Sequence, residues 1–135
     1  MTKKFELRKV QYMPANLEAG ILYVAEEFGA AAHLCACDCG AIVRTPLDPT
    51  EWSLTETEDG PSLYPSIGNW QEGCQSHYWI ERGKVRWAPK WSAGQIEEGR
   101  RREQERRVEY YEALYRKRPT KFRKILDRIR SFLGL

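Results

Sequence analysis

The sequence predicts an α+β protein: a small, mainly antiparallel β domain with a zinc knuckle, followed by C-terminal helices. In the first two-thirds of the chain, apolar residues recur with period two or in short runs bounded by Gly, Pro, Asn and Asp, the punctuation of strands and turns. After Pro89 the pattern changes to Glu and Arg spaced three and four apart, and then to an apolar stripe of helical period. The four cysteines, Cys35, Cys37, Cys39 and Cys74, all fall in the β-like part.

Phe5, Leu7 and the Val10/Tyr12 pair predict a first strand, closed by Pro14-Ala15-Asn16. Leu17 to Val24 follows with Gly20 inside it, then Ala30 to Leu34 leads into the cysteines, and Ala41 to Thr45 is strand-like up to Pro46. Trp52 to Glu56 and Ser62 to Tyr64 flank Asp59-Gly60, a pair suited to a hairpin because Gly accepts positive φ. Ser76 to Ile80 and Lys84 to Ala88 flank Glu81-Arg82-Gly83, a second hairpin. Gln95 to Lys117 reads as a solvated helix held by opposite-charge pairs. Pro119-Thr120 interrupts it, and Phe122, Ile125, Leu126, Ile129, Phe132 and Leu133 then form one apolar face opposite Lys121, Arg123, Lys124, Arg128 and Arg130.

The chain's 135 residues set an expectation of one core with an appendage. No apolar run approaches the roughly 18 residues of a membrane span. The N-terminal lysines are not followed by the apolar stretch of a signal peptide, which places the chain in the cytoplasm. Charge is divided: residues 1–88 carry eight Lys/Arg against twelve Asp/Glu, and residues 89–135 carry fourteen against seven. All five tryptophans lie between Trp52 and Trp91 and both histidines between His33 and His77, so the expected chemistry belongs to the front part. The expected division is a β-rich domain over residues 1–91 and a basic helical extension over 92–135.

Four cysteines in a cytosolic chain point to metal rather than disulfides. Cysteines two apart in a strand have Cα atoms about 6.6 Å apart, so three at i, i+2 and i+4 reach one ion only if the chain turns sharply. Asp38 and Gly40 suit that turn. A structural zinc held by Cys35, Cys37, Cys39 and Cys74 is the expectation, with His33 or His77 as alternative ligands; the bland alternative is a set of reduced, buried cysteines. If Cys74 to Ile80 is a strand, Cys74 and His77 point to opposite faces, which leaves His77 free of the metal.

Pro65-Ser66-Ile67-Gly68-Asn69-Trp70 places a serine between a rigid proline and a Gly-Asn pair, where a turn could present its hydroxyl. His77 can serve as its base if the chain folds back through Gly73-Cys74, and N–H groups near Gly68 or the Asn69 amide could face an oxyanion. On spacing alone an ordinary turn serine and a packed structural histidine are the commoner readings.

Val10-Gln11-Tyr12-Met13-Pro14, Leu17 to Val24, the run His33 to Gly40, Thr45-Pro46-Leu47, Pro65 to Trp70, Cys74 to Ile80 and Val85 to Ala88 appear in that order. Together they resemble the BubE-type proteins, a bacterial family encoded beside ubiquitin-like proteins and E1-like and E2-like enzymes in conjugation operons. The resemblance covers residues 7–91, with Asp38 standing where similar sequences would have glycine. It implies a peptidase that removes or matures a ubiquitin-like protein with a serine nucleophile, and partners drawn from the same operon. Carried over to this chain, Ser66 is the nucleophile, His77 its base and His33 a second histidine, while the four cysteines match a metal-like cluster. Competing readings are a zinc metallopeptidase with an open metal position and a zinc-stabilised binding module without turnover. The basic tail, outside the matched region, suits an anionic membrane surface, an acidic partner or its own acidic domain; without stacking aromatics among the arginines it does not suit nucleic acid.

Overall fold

Eight strands form two four-stranded sheets around one core in the computed structural model of the protein, which describes residues 1–117 and 120–133. The first sheet has the order β1 (Glu6–Lys9), β2 (Ile21–Ala25), β3 (Ala30–Leu34), β4 (Ile42–Arg44). The second is a meander of β5 (Ser53–Thr57), β6 (Gly60–Gly68), β7 (His77–Glu81) and β8 (Lys84–Trp87). All pairs are antiparallel except β1 and β2, which run parallel because residues 10–20 cross back before β2 begins. The first strand is accordingly shorter than the apolar alternation predicts: the Val10 N–H still bonds the Val24 carbonyl, but Tyr12 is exposed.

β2 is buried at all five positions, so it reads as a continuous apolar run, whereas β6 alternates. Leu22, Val24, Ala31 and Val43 from the first sheet meet Leu63, Ile67, Tyr78 and Ile80 from the second, with Phe5 between them. Main-chain bonds stitch the sheets at both sides. Residues 3–5 pair with β8 (Phe5 N–H to Gly83 carbonyl 2.7 Å, Val85 N–H to Lys3 carbonyl 2.9 Å), and Leu47 bridges Trp52 ahead of β5. This pairing covers edges that would otherwise be open to other chains. The two hairpin turns meet glycine to glycine: a Cβ on Gly83, which has φ +81°, would lie 2.8 Å from the Asp59 carbonyl, and Arg82 pairs with Asp59 at 2.6 Å.

Met1–Ile96 forms one compact unit and Glu97–Leu135 another. α1 (Ala93–Lys117) starts at a reciprocal cap, in which the Gln95 amide N–H bonds the Ser92 hydroxyl and the Ser92 N–H bonds the Gln95 side chain. α2 is Thr120–Leu133. Pro119, the expected break, lies outside the described residues, as do the side chains of residues 120–124 and with them Phe122, Lys121, Arg123 and Lys124 of the two faces. Among the described residues no helix is long and apolar enough to cross a membrane.

His33 is fully buried in β3, edge-on to Phe5 and 2.7 Å from the Tyr78 hydroxyl, and among the described residues its Nδ1 has no hydrogen-bond partner. Burial pushes its pKa down to about 4 from 6.5, so the ring is neutral in the fold. Between those two values the unfolded chain binds a proton that the folded chain refuses. Stability therefore falls as pH drops from 6.5 to 4, by about 3 kcal/mol over the window. Urea unfolding of wild type and His33→Asn across that range is expected to show the difference between them shrinking towards acid; a constant difference would contradict a neutral His33.

Candidate active site and metal centre

The second sheet brings Ser66 and His77 together through its register. Gly68 stands opposite His77 and Ile67 opposite Tyr78. The Asn69 N–H bonds the Ser76 carbonyl at 2.8 Å and the His77 carbonyl accepts the Ala88 N–H from the β8 side, so Gly68–His77 is a non-bonded pair of the β6–β7 ladder, in which side chains approach most closely. His77 and its diagonal neighbour Ser66 share the face away from the core. Between Leu63 and Ile67 the β6 register slips against β7, and this irregularity contains Pro65 and Ser66. Ser66 Oγ lies 2.9 Å from His77 Nε2.

The other ring nitrogen decides the proton's place. His77 Nδ1 is 2.9 Å from the Pro89 carbonyl, which can only accept, so Nδ1 carries the hydrogen and Nε2 presents a lone pair to the Ser66 hydroxyl. The chain reaches that point by continuing the β7–β8 ladder, with the Ala88 N–H on the His77 carbonyl at 2.9 Å. Three indoles surround the imidazole: Trp70 at 5.0 Å and Trp91 at 5.1 Å between ring centroids, both roughly edge-to-face, and Trp79 at 5.8 Å. Trp70 and Trp91 also stack on each other at 5.4 Å. His77 is 5% exposed, and Ser66 is half-buried beside it. A side chain at position 68 would collide with the Trp70 indole, so Gly68 is what lets Trp70 close over the pair.

The sulfur atoms of Cys35, Cys37, Cys39 and Cys74 lie within 4.8 Å of one another. Cys35–Cys37, Cys39–Cys74 and Cys35–Cys74 are 3.5, 3.7 and 3.9 Å apart. Four thiolates about 2.3 Å from one ion would stand about 3.8 Å apart at the corners of a tetrahedron, so the set fits a metal ion. Asp38 adopts φ 65°, the left-handed conformation of the knuckle, and its carboxylate accepts the Thr2 hydroxyl at 2.9 Å. Burial raises the Cys37 thiol, but hydrogen bonds from Ser76, Cys39 and Cys35 outweigh it and bring the thiol down to about 6, while burial pushes Cys35 up. The Asn69 amide donates to Cys74 Sγ at 3.8 Å.

The structure thus brings Ser66 to His77 and gathers the four cysteines; it takes His33 elsewhere. Tyr78, next to His77 on β7, points to the core and bonds His33 there, so the two histidines lie on opposite sides of the second sheet. Ser66 lies inside β6 rather than at the tip of a turn, and β7 begins at His77, leaving Cys74 in the preceding loop. Asn69, read as an oxyanion donor, directs its side chain to Cys74 and its N–H to Ser76. Residue spacing could not have revealed the Pro89 carbonyl, which acts through backbone; the crowding of tryptophans before Trp91 was the visible trace of the aromatic wall.

Protein isolated under reducing conditions is expected to carry one metal ion per chain by atomic emission, and Cys35→Ser to lose it and unfold at a lower temperature. A full complement in that variant would remove Cys35 from the site. Gly68→Ala should expel Trp70 and cost about 1–3 kcal/mol, seen as a red shift of tryptophan emission and a lower urea midpoint; unchanged emission would mean that Trp70 does not rest on residue 68.

Comparison with curated proteins and with solved structures yields no match. A family profile described as the bacterial ubiquitination-like system serine protease, BubE, matches residues 9–88. The matched stretch holds Ser66, His77 and all four cysteines and stops one residue before Pro89. It spans more than half of the sequence, and the chain belongs to the BubE family of serine proteases of bacterial ubiquitination-like systems.

Proposed function

We propose that this protein is a serine peptidase that cleaves after the C-terminal residue of a ubiquitin-like protein, maturing a precursor or releasing a conjugated amine. The observation that carries the reading is the hydrogen-bonded series from Ser66 Oγ through His77 to the Pro89 carbonyl, at 2.9 Å each. The family's place in a bacterial ubiquitination-like system supports a ubiquitin-like substrate, and E1-like and E2-like enzymes are the companions we assign to it. The cytoplasm, which keeps thiols reduced, is the matching compartment.

In this reaction Ser66 Oγ attacks the carbonyl carbon of the scissile bond while His77 Nε2 takes its proton. The tetrahedral intermediate collapses as Nε2 returns that proton to the departing amine, leaving an ester on Ser66. Water, deprotonated by the same nitrogen, then releases the acid and restores the serine. The Gly68 N–H belongs to a non-bonded ladder pair and so points away from β7, which makes it our choice of oxyanion donor.

Zinc is the ion we assign to Cys35, Cys37, Cys39 and Cys74, since four soft thiolates favour it. Bound there it would supply cross-linking rather than chemistry, because four cysteine ligands would leave no open position for the water that a metallopeptidase needs. The cluster steadies the loop that delivers β7, because Asn69 touches both Cys74 and the Ser76 carbonyl. A non-catalytic binding module would have no use for a serine hydroxyl directed at an oriented imidazole.

The test is cleavage of a ubiquitin-like protein carrying a C-terminal extension. Ser66→Ala and His77→Gln are each expected to lower kcat by about a thousandfold or more with zinc content unchanged, and His33→Asn to retain most of it in folded protein. Turnover that survives Ser66→Ala with zinc in place would end the serine mechanism, and no cleavage of a cognate substrate by wild type would favour the binding module.

A further inference from the structure

We infer that α2 is an interfacial anchor that lies in the surface of an anionic lipid bilayer. Ile125, Ile129, Phe132 and Leu133 recur at i, i+4, i+7 and i+8, which places them on one arc of the helix, and they are 45, 49, 89 and 60% exposed. The side held against α1 is the polar one: the Tyr115 hydroxyl donates to Asp127 at 2.6 Å, and the Arg130 guanidinium lies over the Tyr115 ring at 5.1 Å. A short amphipathic helix in a water-soluble pair is expected to do the reverse and turn its apolar side to its neighbour. Here the neighbour takes Asp127 and Arg130; Leu126, at the edge of the stripe, is half-buried, and Ile125, Ile129, Phe132 and Leu133 stay exposed.

Charge selects the occupant. Residues 120–133 hold five Lys/Arg and a single acidic residue, Asp127, which is the one engaged by Tyr115. Arg128 is exposed on the flank of the arc, and Arg130, though over the Tyr115 ring, is also exposed. A second copy of the chain would bring two such cationic helices together, a like-charge contact that opposes pairing. An anionic bilayer meets both demands, acyl chains for the arc and headgroups for the cations of a helix lying in the plane. With 14 residues, α2 is far short of a span.

The test uses the full-length protein with vesicles of phosphatidylcholine alone or with about one-third phosphatidylglycerol, read by co-sedimentation. Binding to the anionic vesicles at least about tenfold stronger than to neutral ones, and weakened by salt, is expected. Ile129→Asp/Phe132→Asp should abolish it while helicity by circular dichroism and cleavage of a soluble substrate stay within about twofold of wild type. Equal binding to both vesicle types, or binding unaffected by the double substitution, would overturn the proposal. Absence of vesicle binding would also overturn it, and a dimer in sedimentation that the double substitution dissolves would then make the arc a subunit contact.

Discussion

The entry to strand β7 sends three consecutive residues to three destinations, and the pairing of His77 with Gly68 keeps them apart. Ser76, just before the strand, reaches the cysteine cluster; His77 faces Ser66; Tyr78 enters the core and bonds His33. A strand permits this because successive side chains leave opposite faces. A slip of one residue would send His77 into the apolar core and Tyr78 to the surface. A metal bound by the cluster would work against such a slip, since Cys74 lies beside the other three cysteines only three residues ahead of His77.

The pair at the site is oriented by a neutral group. A carboxylate behind an imidazole would both choose the tautomer and favour the charged ring; the Pro89 carbonyl chooses the tautomer through one hydrogen bond and contributes only a dipole. The surroundings compensate in a different manner. Three indoles exclude water from the ring, which strengthens the remaining hydrogen bonds. In the proposed reaction the same π systems lie close to the imidazolium that forms during attack. Such a wall needs space, and Gly68, with no side chain opposite His77, supplies it.

Much of this was legible along the chain where a residue's own chemistry or a local repeat carries the information. The Asp59-Gly60 and Arg82-Gly83 turns follow from residues that tolerate positive φ, and both hairpins formed there. The spacing of Cys35, Cys37 and Cys39 demanded a knuckle, and Asp38 at φ 65° provides it. Ser66 and His77 could be nominated because only a return of the chain was needed. The parallel β1–β2 pair was not legible, because strand direction depends on where residues 10–20 cross, and no local pattern records that. The register slip in β6 was hidden for the same reason: it is a relation between two strands.

Residue identity and short-range spacing by themselves determined the β-then-helix order, the four-sulfur cluster and the nomination of a serine and a histidine, since these are properties of side chains and neighbours. Only the tertiary structure decided which histidine meets the serine. His33 and His77 are the same residue type, one in each sheet, and the fold buries the first as a neutral ring against Tyr78 while turning the second toward Ser66. It also recruited a main-chain carbonyl from Pro89, a group that every residue possesses and that no sequence pattern can single out. Long-range pairing sets both choices, because the face on which a strand residue emerges, and the backbone group it then meets, depend on register with a partner distant in the chain.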